Sequence, residues 1–357
     1  MEFRTTGFNG YAVKYSPYFD NRLAVAASAN YGLVGNGRLF VLGLDASGIH
    51  AEKVYETSDS VYDLAWAESS ETQVILAGGD GSIKLFDIAA PGNNPVAQWQ
   101  EHNREVYAVA YNLVTKDSFV SSSWDGTVKV WSPIRSQSML TLPTHSCTYS
   151  AAFAPRSASI VSCVSSDSHL RIYDLRTPAS ATNHLVHLIP AHGHAPVPGG
   201  PQRPSYEPAE ILTHDWNKYR DTVIATAGVD QLIRTFDIRN PKGGPVAILR
   251  GHNFAVRKIA WSPHLSDVLI SGSYDMTARV WTDGSTSATP SRPITLGPEA
   301  WGDEYGRFNA HTEFVTGVDW CLFGTEGWVA TTAWDERVCV WDVRTVMGQN
   351  RTRFHTP

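Results

Sequence analysis

Histidine and aspartate recur along this sequence at a spacing that could move protons: His102 with Asp125, His145 with Asp167, His252 with Asp275, His311 with Asp335. With Ser123, Ser165 or Ser273 in reach, such a pair holds the parts of an acid–base or nucleophilic device. Repetition argues the other way, because catalysis needs one such site and a repeated scaffold needs many. No separate Ser-His-Asp or Cys-His arrangement stands out. His184, His187, His192 and His194 lie close in sequence, yet no cysteine or carboxylate completes a ligand set, so no metal is expected. The glycine cluster GLVGNG at 32–37 is not followed by the helix a phosphate loop requires. Neither catalysis nor a cofactor is expected.

The elements that position these residues form a repeat. Six times an aromatic follows an aspartate by six positions: Asp80 and Phe86, Asp125 and Trp131, Asp167 and Tyr173, Asp230 and Phe236, Asp275 and Trp281, Asp335 and Trp341. A weaker copy runs from Asn36 to Leu42. A second aromatic keeps the same period at Tyr15, Trp66, Tyr111, Phe153, Trp216, Trp261 and Trp320, each closing an alternating run such as VRKIAW. Each unit therefore holds at least three short strands divided by polar turns. Asp-Gly at 80–81 and 125–126 suits tight hairpins that need positive φ.

Units of roughly 40–45 residues ending in an aromatic-Asp pair are propeller blades. The expected fold is all-β, a single seven-bladed propeller over 1–357. Its blades fall near 10–56, 57–100, 101–143, 144–191, 209–250, 251–309 and 310–343. The last unit lacks a clear fourth strand, which Phe3 to Thr6 would supply, closing the ring and protecting a sheet edge. Residues 193–208, dense in Pro and Gly, and residues 283–304 read as loop insertions.

This pattern resembles the WD-repeat family. There a histidine before the inner strand pairs with the turn aspartate through a Ser or Thr, and the aromatic packs alongside. Three units match in full: His102, Ser123, Asp125 and Trp131; His145, Ser165, Asp167 and Tyr173; His252, Ser273, Asp275 and Trp281. Ala333 replaces the hydroxyl beside His311, Asp335 and Trp341, as Gly78 and Gly228 do in two other units, so incomplete networks are expected there. Buried polar groups need partners, and a satisfied network fixes a blade's geometry.

Composition narrows the function. A hydrophobic content of 42% supplies a large core, and a net charge of −6 argues against nucleic-acid binding. No apolar run is long enough to span a membrane, and the first residues lack a signal peptide's apolar stretch. Cys147, Cys163, Cys321 and Cys339 are scattered without zinc or disulfide spacing. A cytoplasmic monomer is expected, and the sequon at 350–352 is incidental.

One face gathers acids and aromatics. Glu105 and Glu210 fall six residues before their closing aromatics, Asp59 and Glu313 seven before. Ordinary solvated surface is the competing reading. Trp124, Tyr274 and Trp334 stand just before turn aspartates, at tips that cannot easily bury themselves. Phe254 and Phe314 sit where inner strands begin, and Tyr62 and Tyr107 lie just inside, near Asp59 and Glu105. Aromatics dominate interface hot spots, and acids select basic partners. A basic amphipathic ligand, such as a short helix, would meet both demands.

Several phrases lie outside the positions all blades share: GYAVKYSPYFDNRLAVA at 10–26, NYGLVGNGRL at 30–39, AEILTHDWNKY at 209–219, AGVDQLIRTFDIRN at 227–240 and HTEFVTGVDW at 311–320. Together they resemble the family of cytosolic receptors for the type-2 peroxisomal targeting signal, from about Tyr11 to Val343 apart from the two insertions. That resemblance implies cargo enzymes of the peroxisomal matrix bearing an N-terminal signal, Arg-Leu, five residues, His-Leu, with its apolar groups on one side of a helix. It also implies an import co-receptor, a peroxisomal docking complex and cycling from the cytoplasm to the peroxisome. The rim acids would then pair with the signal's arginine, Glu105 first and Asp59 second. A rival reading comes from Tyr173-Asp174-Leu175-Arg176, Phe236-Asp237-Ile238-Arg239 and Trp341-Asp342-Val343-Arg344, which could dock a cullin-RING ubiquitin ligase adaptor.

Overall fold

Alternating apolar residues between polar turns make strands throughout the chain. The computed structural model describes residues 1–178, 183–194, 207–286 and 300–347. Among these the only helical turns are two short 3-10 segments, Ala29–Gly32 and Val343–Thr345. Seven antiparallel sheets stand around a central channel as the blades of a propeller. Their inner strands are Asn9–Tyr15, Val61–Trp66, Val106–Tyr111, Thr148–Phe153, Ile211–Trp216, Val256–Trp261 and Val315–Trp320, and each leads outward in chain order.

Strand alternation turns one side chain in two toward the neighbouring blade, so the core lies between blades. Seven apolar clusters result, each joining two neighbours. Ile75, Leu85 and Trp99 of blade 2 meet Val109, Phe119 and Trp131 of blade 3. At the seam, Leu23, Val25 and Phe40 of blade 1 meet Val338 and Val340 of blade 7. The ring closes there through Glu2–Arg4, which pairs with Arg337–Asp342 and sets Phe3 opposite Val338. The Phe3 ring lies 5.9 Å from Phe40. This strand is shorter and earlier than the expected 3–6, because the chain turns at Thr5, whose carbonyl accepts from Phe8 N at 3.1 Å while its hydroxyl donates to the Phe8 carbonyl at 2.6 Å.

The insertions differ from expectation at their ends. Gly193–His194 pairs with Glu207–Pro208, so the described ends of the first form a two-stranded ladder. Residues 195–206 and 287–299 lie outside the described residues. Residues 300–304 are not loop. Ala300–Trp301 pairs in parallel with Ala247–Arg250 of blade 5, and Asp303–Phe308 is the outer strand of blade 6. An outer strand with unpaired backbone groups recruits such a partner, and here the extra pairing ties two blades together.

The polar networks also need correction. The hydroxyl that serves His102 is Ser121, not Ser123. His102 Nδ1 donates to Asp125 at 2.8 Å, Ser121 Oγ meets His102 Nε2 at 2.7 Å, and Trp131 Nε1 donates to Ser121 at 2.8 Å. Ser123 instead donates to the Arg104 carbonyl and accepts from Asp125 N. Blade 6 repeats this with Ser271 in place of Ser273. Side chains two apart on a strand share a face, and only the deeper one reaches the imidazole and the indole.

That shift completes two networks expected to be broken. Thr331 serves His311 and Trp341 despite Ala333, and Thr226 serves His192 despite Gly228, with Arg234 joining Asp230. Blade 4 goes the other way. Cys163 occupies the hydroxyl position, exposed His145 has φ +59°, and Arg171 with Ser165 takes Asp167 instead. Tyr173 turns its hydroxyl to the Pro143 carbonyl. In blade 2, where Gly78 precedes the turn, Asp80 is held by Ser82 and Lys84 alone.

These networks make stability depend on pH. Burial holds His192 and His252 below the ordinary imidazole range and brings His214, bonded to Ser162, down to about 4. A lowered folded pKa means the unfolded chain binds more protons, so this stability is full above about pH 6.5 and is lost as pH falls. His214 alone should remove about 2 kcal/mol between pH 6.5 and 5. Burial opposes the charge of Asp125 and Asp230, yet bonds from His102 and from His192 with Arg234 hold both near 2, so the aspartates add their loss only below about pH 4. Urea midpoints compared at pH 7.5 and 5 check this, and equal midpoints would refute it.

Candidate functional site

Every inner strand carries one β-bulge at the same place, four residues before its closing aromatic. A bulge leaves one residue outside the ladder and re-aims its side chain. The seven bulged residues are Tyr11, Tyr62, Tyr107, Tyr149, Leu212, Arg257 and Thr316. Four consecutive blades thus present tyrosine to the channel mouth, and blade 6 presents arginine.

The side chains meet as one aromatic floor. Tyr107 stacks on Tyr62 at 4.9 Å and on Trp124 at 5.1 Å, and Tyr62 meets Tyr11 edge-on at 5.2 Å. The floor continues through Trp334, 5.8 Å from Tyr11, to Phe314 and Tyr274, which stack at 4.7 Å. Arg257 closes the circuit from across the mouth, its guanidinium 4.9 Å over the Tyr107 ring. Of the aromatics expected at this face, Tyr62, Tyr107, Trp124, Tyr274, Phe314 and Trp334 belong to the floor. Phe254 does not: it is 61% exposed and makes none of these ring contacts.

Sequence reasoning missed Tyr11, Tyr149, Tyr31 and Arg257. The alignment on closing aromatics that found the acids would have found three of them, since the position four before reads Tyr, Tyr, Tyr, Tyr, Leu, Arg, Thr around the ring. Tyr31 comes from a loop in left-handed conformation, φ +57°, and lies 5.4 Å from Trp334. Tyr11 and Tyr62 donate their hydroxyls to the Tyr31 and Gly32 carbonyls, holding that loop against the floor. Beyond it Leu33 stands 83% exposed.

The acids divide. Asp59 and Glu105 are half-buried beside Tyr62, whose hydroxyl is pushed up to about 12 by burial first, then by Tyr107 and these two carboxylates. Gly79 replaces a turn-tip aromatic here, and a Cβ at Gly79 would meet Asp59 Oδ1 at 3.3 Å. Arg104 lies 3.5 Å from Glu105 and 5.7 Å over Trp124. Glu210 is exposed and accepts from the Tyr149 hydroxyl at 2.8 Å. Glu313 is half-buried beside Phe314.

Below the floor the channel charges serve the scaffold. Lys14 pairs with Asp319 and Lys258 with Asp63. Asp319 also accepts from Tyr15 N at 2.9 Å and Asp215 from Trp261 N at 2.7 Å, stapling adjacent inner strands. Among the described residues no group of three metal-ligating side chains converges. The three Asp-x-Arg sequences repeat one local geometry, each arginine folded onto its own aspartate: Arg176 on Asp174, Arg239 on Asp237, Arg344 on Asp342.

Blades, closure and repeated networks define a class, and the WD domain, G-beta repeat family matches residues 51–87, 93–132, 136–174, 243–282 and 302–342. The chain is a WD-repeat propeller. Over nearly its full length it is similar to the peroxisomal targeting signal 2 receptor of Saccharomyces cerevisiae, 39% identical with 96% of this chain and 99% of that protein covered. The peroxisome biogenesis protein 7 of Arabidopsis thaliana is 41% identical over 94% and 95%, and the human peroxisomal targeting signal 2 receptor 34% identical over 88% and 87%. The chain belongs to the family of peroxisomal targeting signal 2 receptors.

Proposed function

We propose that this protein is a cargo receptor rather than an enzyme, binding the type-2 peroxisomal targeting signal of matrix enzymes as a basic amphipathic helix across the aromatic floor. The continuous floor, with Asp59 and Glu105 beside it at the edge of blades 2 and 3, carries this reading. The helix's apolar stripe lies on Tyr62, Tyr107 and Trp124, and its arginine meets Glu105 or Asp59. An import co-receptor covers the outer side of the helix, and the complex moves from cytoplasm to a peroxisomal docking complex.

The test is affinity for a signal peptide, with and without co-receptor. Glu105→Lys and Asp59→Lys should each weaken binding roughly tenfold, or about 1.4 kcal/mol, and flatten its salt dependence. Ile134→Ser is the control, a 93% exposed residue in the turn between the two outer strands of blade 3. Unchanged affinity in both folded reversals removes the acids from the site. Recovery of a ubiquitin-ligase adaptor without signal-bearing cargo in a pull-down would replace the receptor reading with the rival one.

A further inference from the structure

Arg257 departs from the way this chain treats its other buried arginines. Arg171, Arg234 and Arg279 each face the turn aspartate four residues earlier, and Arg279 also bonds Glu304. Arg257 is only 4% exposed, yet among the described residues it makes no ion pair. The carboxylate whose field reaches it, Asp63, is already taken by Lys258 Nζ and Val109 N, both at 3.3 Å. Its neighbours are the Tyr107 ring and Tyr274, whose hydroxyl oxygen meets part of the guanidinium and leaves the rest of its fork without a carboxylate. Rings satisfy the charge of a guanidinium but not its five N–H donors, which are built as a planar fork for oxygen.

A buried cation lacking a carboxylate costs folding free energy, and a hydrophobic replacement at such a site is often neutral or stabilising. Arg257 nevertheless lies over the floor, while Asp59, Glu105, Glu210 and Glu313 stand at the rim and Asp63, below, is already paired. Its charge repels a ligand's basic side chains from the middle, and its fork places a cationic donor set over the Tyr107 ring.

We propose that Arg257 reads an oxygen acceptor on the bound helical segment, a carboxylate or a main-chain carbonyl, and so fixes which part of the segment lies over the channel mouth. This rests on the receptor reading above. The acceptor lies over blades 3 and 6, while the basic residue goes to the acids of blades 2 and 3. Rim charge and central charge together set polarity and register, which an aromatic surface alone leaves free.

The experiment compares full-length wild type, Arg257→Lys and Arg257→Met, measuring melting temperature and affinity for two synthetic signal peptides. The peptides differ only in a glutamate or a glutamine within the central five positions. Arg257→Met should melt at or above the wild-type temperature and bind at least thirtyfold more weakly. Arg257→Lys, lacking the fork, should fall between. If the glutamine peptide loses affinity to wild type but not to Arg257→Met, the acceptor is a carboxylate; equal losses for both peptides assign a main-chain carbonyl. Wild-type affinity in Arg257→Met, or affinity and melting temperature falling together, overturns the proposal and leaves the receptor reading standing. Failure of wild type to bind either peptide overturns both.

Discussion

Ser121→Ala should destabilise the propeller by about 2–6 kcal/mol, as should Ser271→Ala in the matching network of blade 6. Ser121→Ala strands two buried groups at once, His102 Nε2 and Trp131 Nε1. Each buried group left unsatisfied costs about 1–3 kcal/mol. Ser123→Ala, only two residues away, should cost about 1 kcal/mol, because Ser123 makes ordinary bonds to backbone beside the turn. Urea denaturation of the two variants decides between them. Equal losses would mean that Ser121 is not the keystone of the network.

Tyr107→Ala should weaken binding of the signal peptide by roughly a hundredfold. Its ring lies between Tyr62 and Trp124, meets Tyr149 edge-on at 5.5 Å and carries the guanidinium of Arg257. Hot-spot truncations of central, well-packed aromatics cost about 2–4 kcal/mol in binding. Phe254→Ala is the contrast: an exposed ring outside the floor should change affinity less than about threefold. Calorimetric titration of both variants separates a contiguous floor from scattered surface aromatics. If Phe254→Ala proved the more damaging, the binding surface would have to move outward from the channel mouth.

The sequence carried the ring and its order because two aromatics recur in fixed register, and each becomes a buried anchor such as Trp131 or Trp261. Details were lost where residues on the same face of a strand compete. Ser121 and Ser123 point the same way, and no pattern of residue types distinguishes which one reaches the histidine. Blade 4 looked complete in sequence because His145, Ser165 and Asp167 were all present. What changed it was Cys163, a poor partner for imidazole, and Arg171, a better one for the carboxylate. The outer strand Asp303–Phe308 was obscured because the segment before it interrupts the repeat.

The candidate site was half legible. Turn tips such as Trp124 and Trp334 announce themselves, since a large aromatic there has no core to enter. Tyr62 and Tyr107 drew notice through the acids beside them; Tyr11, Tyr149 and Arg257, at the same bulge, had no such neighbour in the aligned positions used, and the bulge breaks the two-residue alternation that assigns strand residues to faces. At the bulge the register slips, and a side chain that alternation would count as packed emerges at the mouth.

The strand Glu2–Arg4 imposes an order on the protein's birth. It pairs with Arg337–Asp342, which the ribosome makes long after it. At roughly 5–20 residues per second, the first strand waits on the order of tens of seconds while seven sheets form without it. Throughout that interval blade 7 is incomplete and the seam between Phe40 and Val338 stays open. The nascent chain is therefore exposed to capture or misassembly until Arg337–Asp342 emerges, and ring closure joins residues made far apart in time.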